Sequence, residues 1–291
     1  MTPLSLPREK ASLLMEMVHL LQDISEMTAI VVGGSYARGM ANDLSDLDLG
    51  LYYRPDSPFS ISEVRRVAEQ FAVTPPVVTD FYGWGPWVNG GAWINTEAGK
   101  VDFLYRNLDQ VEHVIDDAHR GVTQHDYDQQ PPFGFRSVIY LAETKCCVPL
   151  YDPHRLIEKL KSRVARYPKA LKEAIVQNSL WGAEFSFYFG ERFAADADVY
   201  AAAGCMTRIA HYLTQALFAL NEEYYISDKD AMRQIGQFAL RPSEFDIRQA
   251  ATLAHIGQTS DELRQSLAAI KQLWRETIDL AGDLYKTRYV L

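Results

Sequence analysis

The sequence predicts an α+β fold, an N-terminal mixed-sheet domain followed by an α-helical bundle domain, on three observations. Short apolar runs stopped by glycine turns dominate the early chain, apolar residues recur every three or four positions from about Arg136 onward, and a polar loop with adjacent prolines parts the two textures. The chain has 291 residues, 47% of them hydrophobic, enough to bury a substantial core in one large or two medium domains.

Pro7, followed by Leu13, Leu14, Met17, Leu20 and Leu21, reads as an amphipathic helix with proline near its first turn, placed to cover a sheet. Ala29-Ile30-Val31-Val32 is a buried strand stopped by Gly33-Gly34, and a second strand runs from Leu47 to Tyr53. Ile61 to Phe71 has helical spacing, and Gly90 to Arg106 reads as two strands joined at Glu97-Ala98-Gly99-Lys100. Leu156 to Ala165, Ala170 to Phe189, Val199 to Leu220 and Leu263 to Tyr285 then carry helix formers with helical apolar repeats. The loop His125 to Gly134, with Gln129-Gln130-Pro131-Pro132, opposes both helix and central strand and sets the expected junction near Gln130, giving domains 1–130 and 131–291.

A formal charge of -9 gives no overall positive field for neutralising phosphates, so a nucleic-acid partner is disfavoured. Met1 to Lys10 carries charges and two prolines where a secretory signal has an apolar core, and no apolar run approaches the roughly 18 residues of a membrane span. The expectation is a cytoplasmic protein without a membrane partner. Cys146, Cys147 and Cys205 lack metal-ligand spacing and read as free thiols. The histidines show no metal spacing, and neither a Walker loop nor a dinucleotide-binding glycine fingerprint is present, which argues against kinase and dehydrogenase readings.

Chemistry concentrates in the early chain. Strand alternation aims Asp46 and Asp48 at one side while Leu47 and Leu49 enter the opposite, apolar layer. Like charges held so close call for a hard divalent cation, magnesium first. Asp102, within Val101-Asp102-Phe103-Leu104-Tyr105, is a third carboxylate on a strand, a costly place for an idle charge. Gly33-Gly34-Ser35 leaves the first strand with backbone N–H groups open to phosphate oxygens, the serine hydroxyl adds a donor, and Arg38 is near enough to add a charged contact.

Gly34-Ser35, ten intervening residues, then Asp46-Leu47-Asp48 and Leu49 resembles the defining motif of the polymerase-beta-like nucleotidyltransferase superfamily, with Asp102 as its third carboxylate. The helical half is similar in layout to the aminoglycoside and lincosamide nucleotidyltransferases. The resemblance implies that Asp46 and Asp48 bind two Mg2+ ions, and that Asp102 completes the second metal site or serves as general base. It further implies that Ser35 and Arg38 position the donor's phosphates, that Lys229 reaches the triphosphate, and that a homodimer forms, since similar enzymes often complete the site between subunits. Glu143 and Glu184, each set among apolar residues, are alternative bases.

The expected activity is therefore magnesium-dependent transfer of a nucleoside monophosphate, AMP from ATP or the equivalent from another NTP, to a hydroxyl of a small molecule, an antibiotic among the candidates, with release of pyrophosphate. The alternatives are nucleotidylation of a protein or RNA and a non-catalytic nucleotide-binding or antitoxin-like module. Phe81-Tyr82-Gly83-Trp84-Gly85-Pro86-Trp87 through Trp93 offers either a stacking wall or ordinary hairpin packing.

Overall fold

The computed structural model describes residues 5–42 and 44–289, so the first four residues of the N-terminal segment lie outside it. The chain forms two compact units, one of residues 1–116 and 124–166, the other of residues 117–123 and 167–291.

In the first unit the elements follow as α1 (Arg8–Gln22), β1 (Ala29–Val32), α2 (Gly34–Ala37), β2 (Leu47–Tyr53), α3 (Ile61–Phe71), β3 (Val77–Val78), β4 (Gly91–Thr96) and β5 (Gly99–Asn107). Then come α4 (Leu108–His119), which runs on into the second unit, β6 (His125–Asp126), β7 (Phe135–Arg136), α5 (Val138–Cys146), β8 (Val148–Tyr151) and α6 (Leu156–Val164). Six strands make a mixed sheet in the order β3-β4-β5-β2-β1-β8. Only β2 and β5 pair in parallel within it, because α3 and the β3-β4 excursion intervene and return the chain in the same direction.

Strand alternation divides the sheet chemically. Leu47, Leu49, Leu51, Ile94, Val101, Phe103 and Tyr105 are buried in one core with Leu14, Met17 and Leu21 of α1 and Val64 and Val67 of α3. Asp48, Trp93 and Asp102 alternate with these residues and so belong to the other face.

The division of the chain falls near Arg166, beyond the junction expected at Gln130. The reason is that residues after the proline loop complete the sheet: β8 pairs antiparallel with β1, Val148 opposite Val32 and Tyr151 opposite Ile30. Glu143 of α5 also holds the buried Arg106 of β5 through two hydrogen bonds, at 2.8 and 2.9 Å.

The second unit is helical: α7 (Lys169–Ala195), α8 (Val199–Leu220), α9 (Ala231–Ile235), α10 (Phe245–Ala254) and α11 (Ser260–Ala281). A capping box between Thr259 and Glu262 starts α11. Arg248 of α10 grips Glu276 of α11 with two bonds of 2.7 and 2.8 Å. With a six-stranded sheet before it and helices here, the fold class is α+β as the sequence indicates. Among the described residues no helix is long and apolar enough to cross a membrane.

Candidate active site

The turn after β1 and the start of β2 are built against each other. Gly33 N–H donates to the Asp48 carbonyl at 2.9 Å, and Gly34 takes the left-handed conformation, φ +59°. A Cβ built on Gly34 would lie 1.7 Å from Asp48 Oδ2, so the carboxylate rests in the space a side chain would fill. Arg38 folds back over the turn, its Nε donating to the Gly34 carbonyl at 3.4 Å, and leaves Nη1 buried with no hydrogen-bond partner among the described residues. A buried guanidinium nitrogen lacking an acceptor suits an anionic oxygen delivered by a ligand.

The parallel register sets Asp102 of β5 directly beside Asp48 of β2. Asp46 and Asp102 line a cavity of about 420 Å³ together with Trp93, Asn95 and Lys100. Burial, reinforced by the neighbouring Asp46 charge and opposed by Lys100, raises the Asp102 carboxyl to about 6. A larger cavity of about 750 Å³ follows β8 and α6, lined by Tyr36, Cys146, Leu150 and Lys161, and holds none of the three aspartates. Two of the three aspartates line the smaller one.

Asp46 and Asp102 line one cavity and Asp48 stands beside Asp102 in the parallel register, so their hard carboxylate oxygens could hold a divalent metal. Among the described residues no group of three or more His, Cys, Asp or Glu side chains forms a ready-made metal cage.

The other sequence candidates separate. Glu143 is committed to Arg106, a buried guanidinium that also donates to the carbonyls of Val88 and Tyr105. Glu184 is fully buried in the second unit, where it accepts from the Tyr285 hydroxyl and from the backbone N–H groups of Arg288 and Tyr289. Both carboxylates are thus engaged in hydrogen bonds within the fold, whereas Asp102 lines a cavity with Asp46. Lys229 lies in the second unit, its carbonyl accepting from the Ser227 hydroxyl at 3.3 Å. Of the cysteines, Cys146 and Cys147 have thiols pushed up by burial to about 11 and about 12, so both stay protonated at neutral pH.

Sequence reasoning missed Lys10. It is buried, its Nζ donating to the Tyr36 hydroxyl at 3.0 Å and to the Ser45 carbonyl at 2.7 Å, which ties α1 and α2 to the residue before Asp46. The signal was present: Lys10 precedes Leu14, Met17 and Leu21 on the apolar stripe of α1. Gln129 was also passed over as loop. Its Oε1 accepts from the N–H groups of Trp87 and Val88, at 3.0 and 3.1 Å, and its Nε2 donates to the Trp84 carbonyl at 3.0 Å.

Residues 14–87 match the family described as nucleotidyltransferase domain, a span that includes Gly34, Ser35, Arg38, Asp46 and Asp48 and stops before Asp102. That stretch is thus similar to a nucleotidyltransferase domain, in line with the motif read from the sequence. Residues 139–229 match a domain of unknown function, DUF4037, which begins in the first unit and continues into the second. Among solved structures, a nucleotidyltransferase-like protein from Exiguobacterium sibiricum 255-15 is similar at 10% identity and a TM-score of 0.46, over 96% of this chain and 78% of that chain. No curated protein matches the sequence.

Proposed function

We propose that the protein transfers a nucleoside monophosphate, with ATP as the first donor to test, onto a hydroxyl of a small molecule, in a reaction that depends on a divalent metal and releases pyrophosphate. The observation that carries this reading is the alignment of Gly34, Asp48 and Asp102. A turn with no side chain lies against one carboxylate, and a parallel strand sets a second beside it.

The backbone of the Gly33-Gly34-Ser35 turn, the Ser35 hydroxyl and the unpartnered Arg38 nitrogen would bind and orient the triphosphate. Asp46 and Asp48, with Asp102, would hold the metal, which when bound neutralises phosphate charge and stabilises the entering and leaving oxygens. The acceptor oxygen attacks the α-phosphorus in line, the bond from that phosphorus to the bridging oxygen breaks, and pyrophosphate leaves with that oxygen. Asp102 takes the acceptor proton.

Incubation with magnesium, each of the four α-labelled nucleoside triphosphates and a panel of hydroxylated small molecules tests the proposal. Labelled product and pyrophosphate in equal amounts, abolished by Asp48→Asn, are expected. Label found only on protein or RNA, or nucleotide binding with no pyrophosphate from any acceptor, overturns it.

A further inference from the structure

Four strands place their residues in one transverse row. Val77 of β3 is opposite Trp93 of β4, Trp93 is opposite Asp102 of β5, and Asp102 is beside Asp48 of β2. Directly paired residues present their side chains to the same face, with Cα atoms about 4.5–5.5 Å apart. Continued past Asp48 the row meets Gly34. It therefore has a direction: phosphate turn, Asp48, Asp102, Trp93. A donor held at the turn leaves the far side of Asp102 for the acceptor, and the group standing there is the indole of Trp93.

That indole is built as a surface. Trp93 is 52% exposed, and one of its faces is covered by Trp84, ring centroids 4.7 Å apart and planes 21° from parallel. Trp84 is fixed in turn, its carbonyl accepting from Gln129 and its N–H donating to the Asn89 carbonyl at 2.7 Å. At Gly91, a Cβ would fall 3.0 Å from the Trp84 ring, so its absence gives that ring room. Other aromatics of the segment are used in packing: Phe81 joins Tyr53, Phe59 and Tyr105, while Trp87 stacks on Phe135. The uncovered face of a braced indole, on the cavity that contains Asp102, is a stacking platform.

The next row adds polarity. Asn95 is opposite Lys100, and both are exposed and line the same cavity. Lys100 offers an ammonium, and the Asn95 amide, whose Nδ2 donates to the Thr74 hydroxyl at 3.2 Å, offers its carbonyl oxygen as well, so polar ring substituents find partners beside the indole. A cavity of about 420 Å³ lies in the usual range for small-molecule sites.

We infer that the acceptor is a hydroxylated ring compound whose ring stacks on Trp93 while its hydroxyl meets Asp102, with Lys100 and Asn95 beside its substituents. This rests on the nucleotidyltransferase reading above and names the substrate class of that site. Trp93 is an acceptor-binding residue and takes no part in proton transfer.

The test is saturation-transfer NMR on the full chain with magnesium and a non-hydrolysable ATP analogue. Phenyl β-D-glucopyranoside serves as the ring probe. Binding of the phenyl glucoside to the wild type is expected, about tenfold weaker in Trp93→Ala and restored to within about threefold in Trp93→Phe. The analogue's own affinity, read on the same samples, is expected to stay within about twofold across the variants. The inference is overturned if the phenyl glucoside fails to bind the wild type or binds Trp93→Ala equally well. If the analogue itself does not bind, the nucleotidyltransferase reading falls and takes this inference with it. If the analogue binds and the phenyl glucoside does not, the inference alone falls.

Discussion

Gly34 and Asp48 occupy a space that admits only one side chain: a Cβ at Gly34 would fall 1.7 Å from Asp48 Oδ2. The glycine also sits at φ +59°, where an L-residue is strained. Gly34→Ala must therefore push the carboxylate away from the turn. Turnover is expected to fall at least about a hundredfold, against a stability loss of about 1–2 kcal/mol, because strain spreads through a local turn while geometry at a reacting centre does not tolerate it. Steady-state kinetics beside thermal melts on one preparation checks this; equal losses in both would remove the special role of the glycine.

Asp102→Asn keeps the shape of the site and removes its base. Transfer is expected to drop by about 10²–10⁴, the usual worth of a positioned general base. The metal-free variant is expected to melt higher than the wild type, since a partly buried carboxylate repelled by Asp46 is gone. Magnesium with nucleotide should raise the melting temperature of the wild type more than that of the variant, which calorimetry reads directly.

Lys10→Met exchanges a buried ammonium for an apolar chain of similar length, leaving the Tyr36 hydroxyl and the Ser45 carbonyl without their partner. A cost of about 1–3 kcal/mol is expected for the polar groups so left. Because Ser45 adjoins Asp46, a weaker magnesium-dependent affinity for nucleotide should accompany it, measurable by titration calorimetry. Unchanged affinity would make Lys10 a purely structural residue.

Glu143→Gln separates a structural carboxylate from a catalytic one. The buried Arg106 loses a charged partner that holds it through two bonds, so a stability loss of about 3–5 kcal/mol is expected. Turnover per folded molecule should be unchanged. A loss of turnover in variant that remains folded would restore Glu143 as a candidate base.

In the second unit, hydrogen bonding from Arg248 holds the Glu276 carboxyl below its ordinary value. A depressed carboxylate contributes stability that is present above its unfolded pKa and is lost as pH falls through its lower, folded one. Acid titration of wild type against Glu276→Gln should show the two converging as pH falls below the ordinary glutamate range and diverging above it. Convergence on the alkaline side instead would mean that another group is responsible.

Much of this was legible in the sequence for identifiable reasons. The apolar alternation of Leu47, Leu49 and Leu51 around Asp48 and the Gly33-Gly34 stop are local patterns that strand geometry turns into faces without knowledge of the rest of the chain, whereas Asp46 precedes β2 and owes its place to the loop before it. The second unit's long helices were equally readable from their apolar spacing. Three things were not. The partners of Glu143 and Glu184 lie 37 and 101 to 105 positions away, so their commitments depend on tertiary packing. The register that aligns Trp93 with Asp102 follows from the turn after Thr96, and an aromatic-rich segment does not reveal which ring faces outward. The role of residues 135–151 was hidden because β8 is a short strand whose partner, β1, precedes it by more than a hundred residues.

The pairing of β8 with β1 also governs how the chain can be cut. Ala29-Ile30-Val31-Val32 is buried throughout and lies between β2 and β8. A fragment ending at Gln130 would keep every aspartate of the site yet strip one flank from this run, exposing a row of unpaired amides and carbonyls on an uncharged, β-branched segment. Such an edge templates association with other chains. The smallest piece that protects it extends through Tyr151, and synthesis must likewise reach that residue before β1 has both of its neighbours.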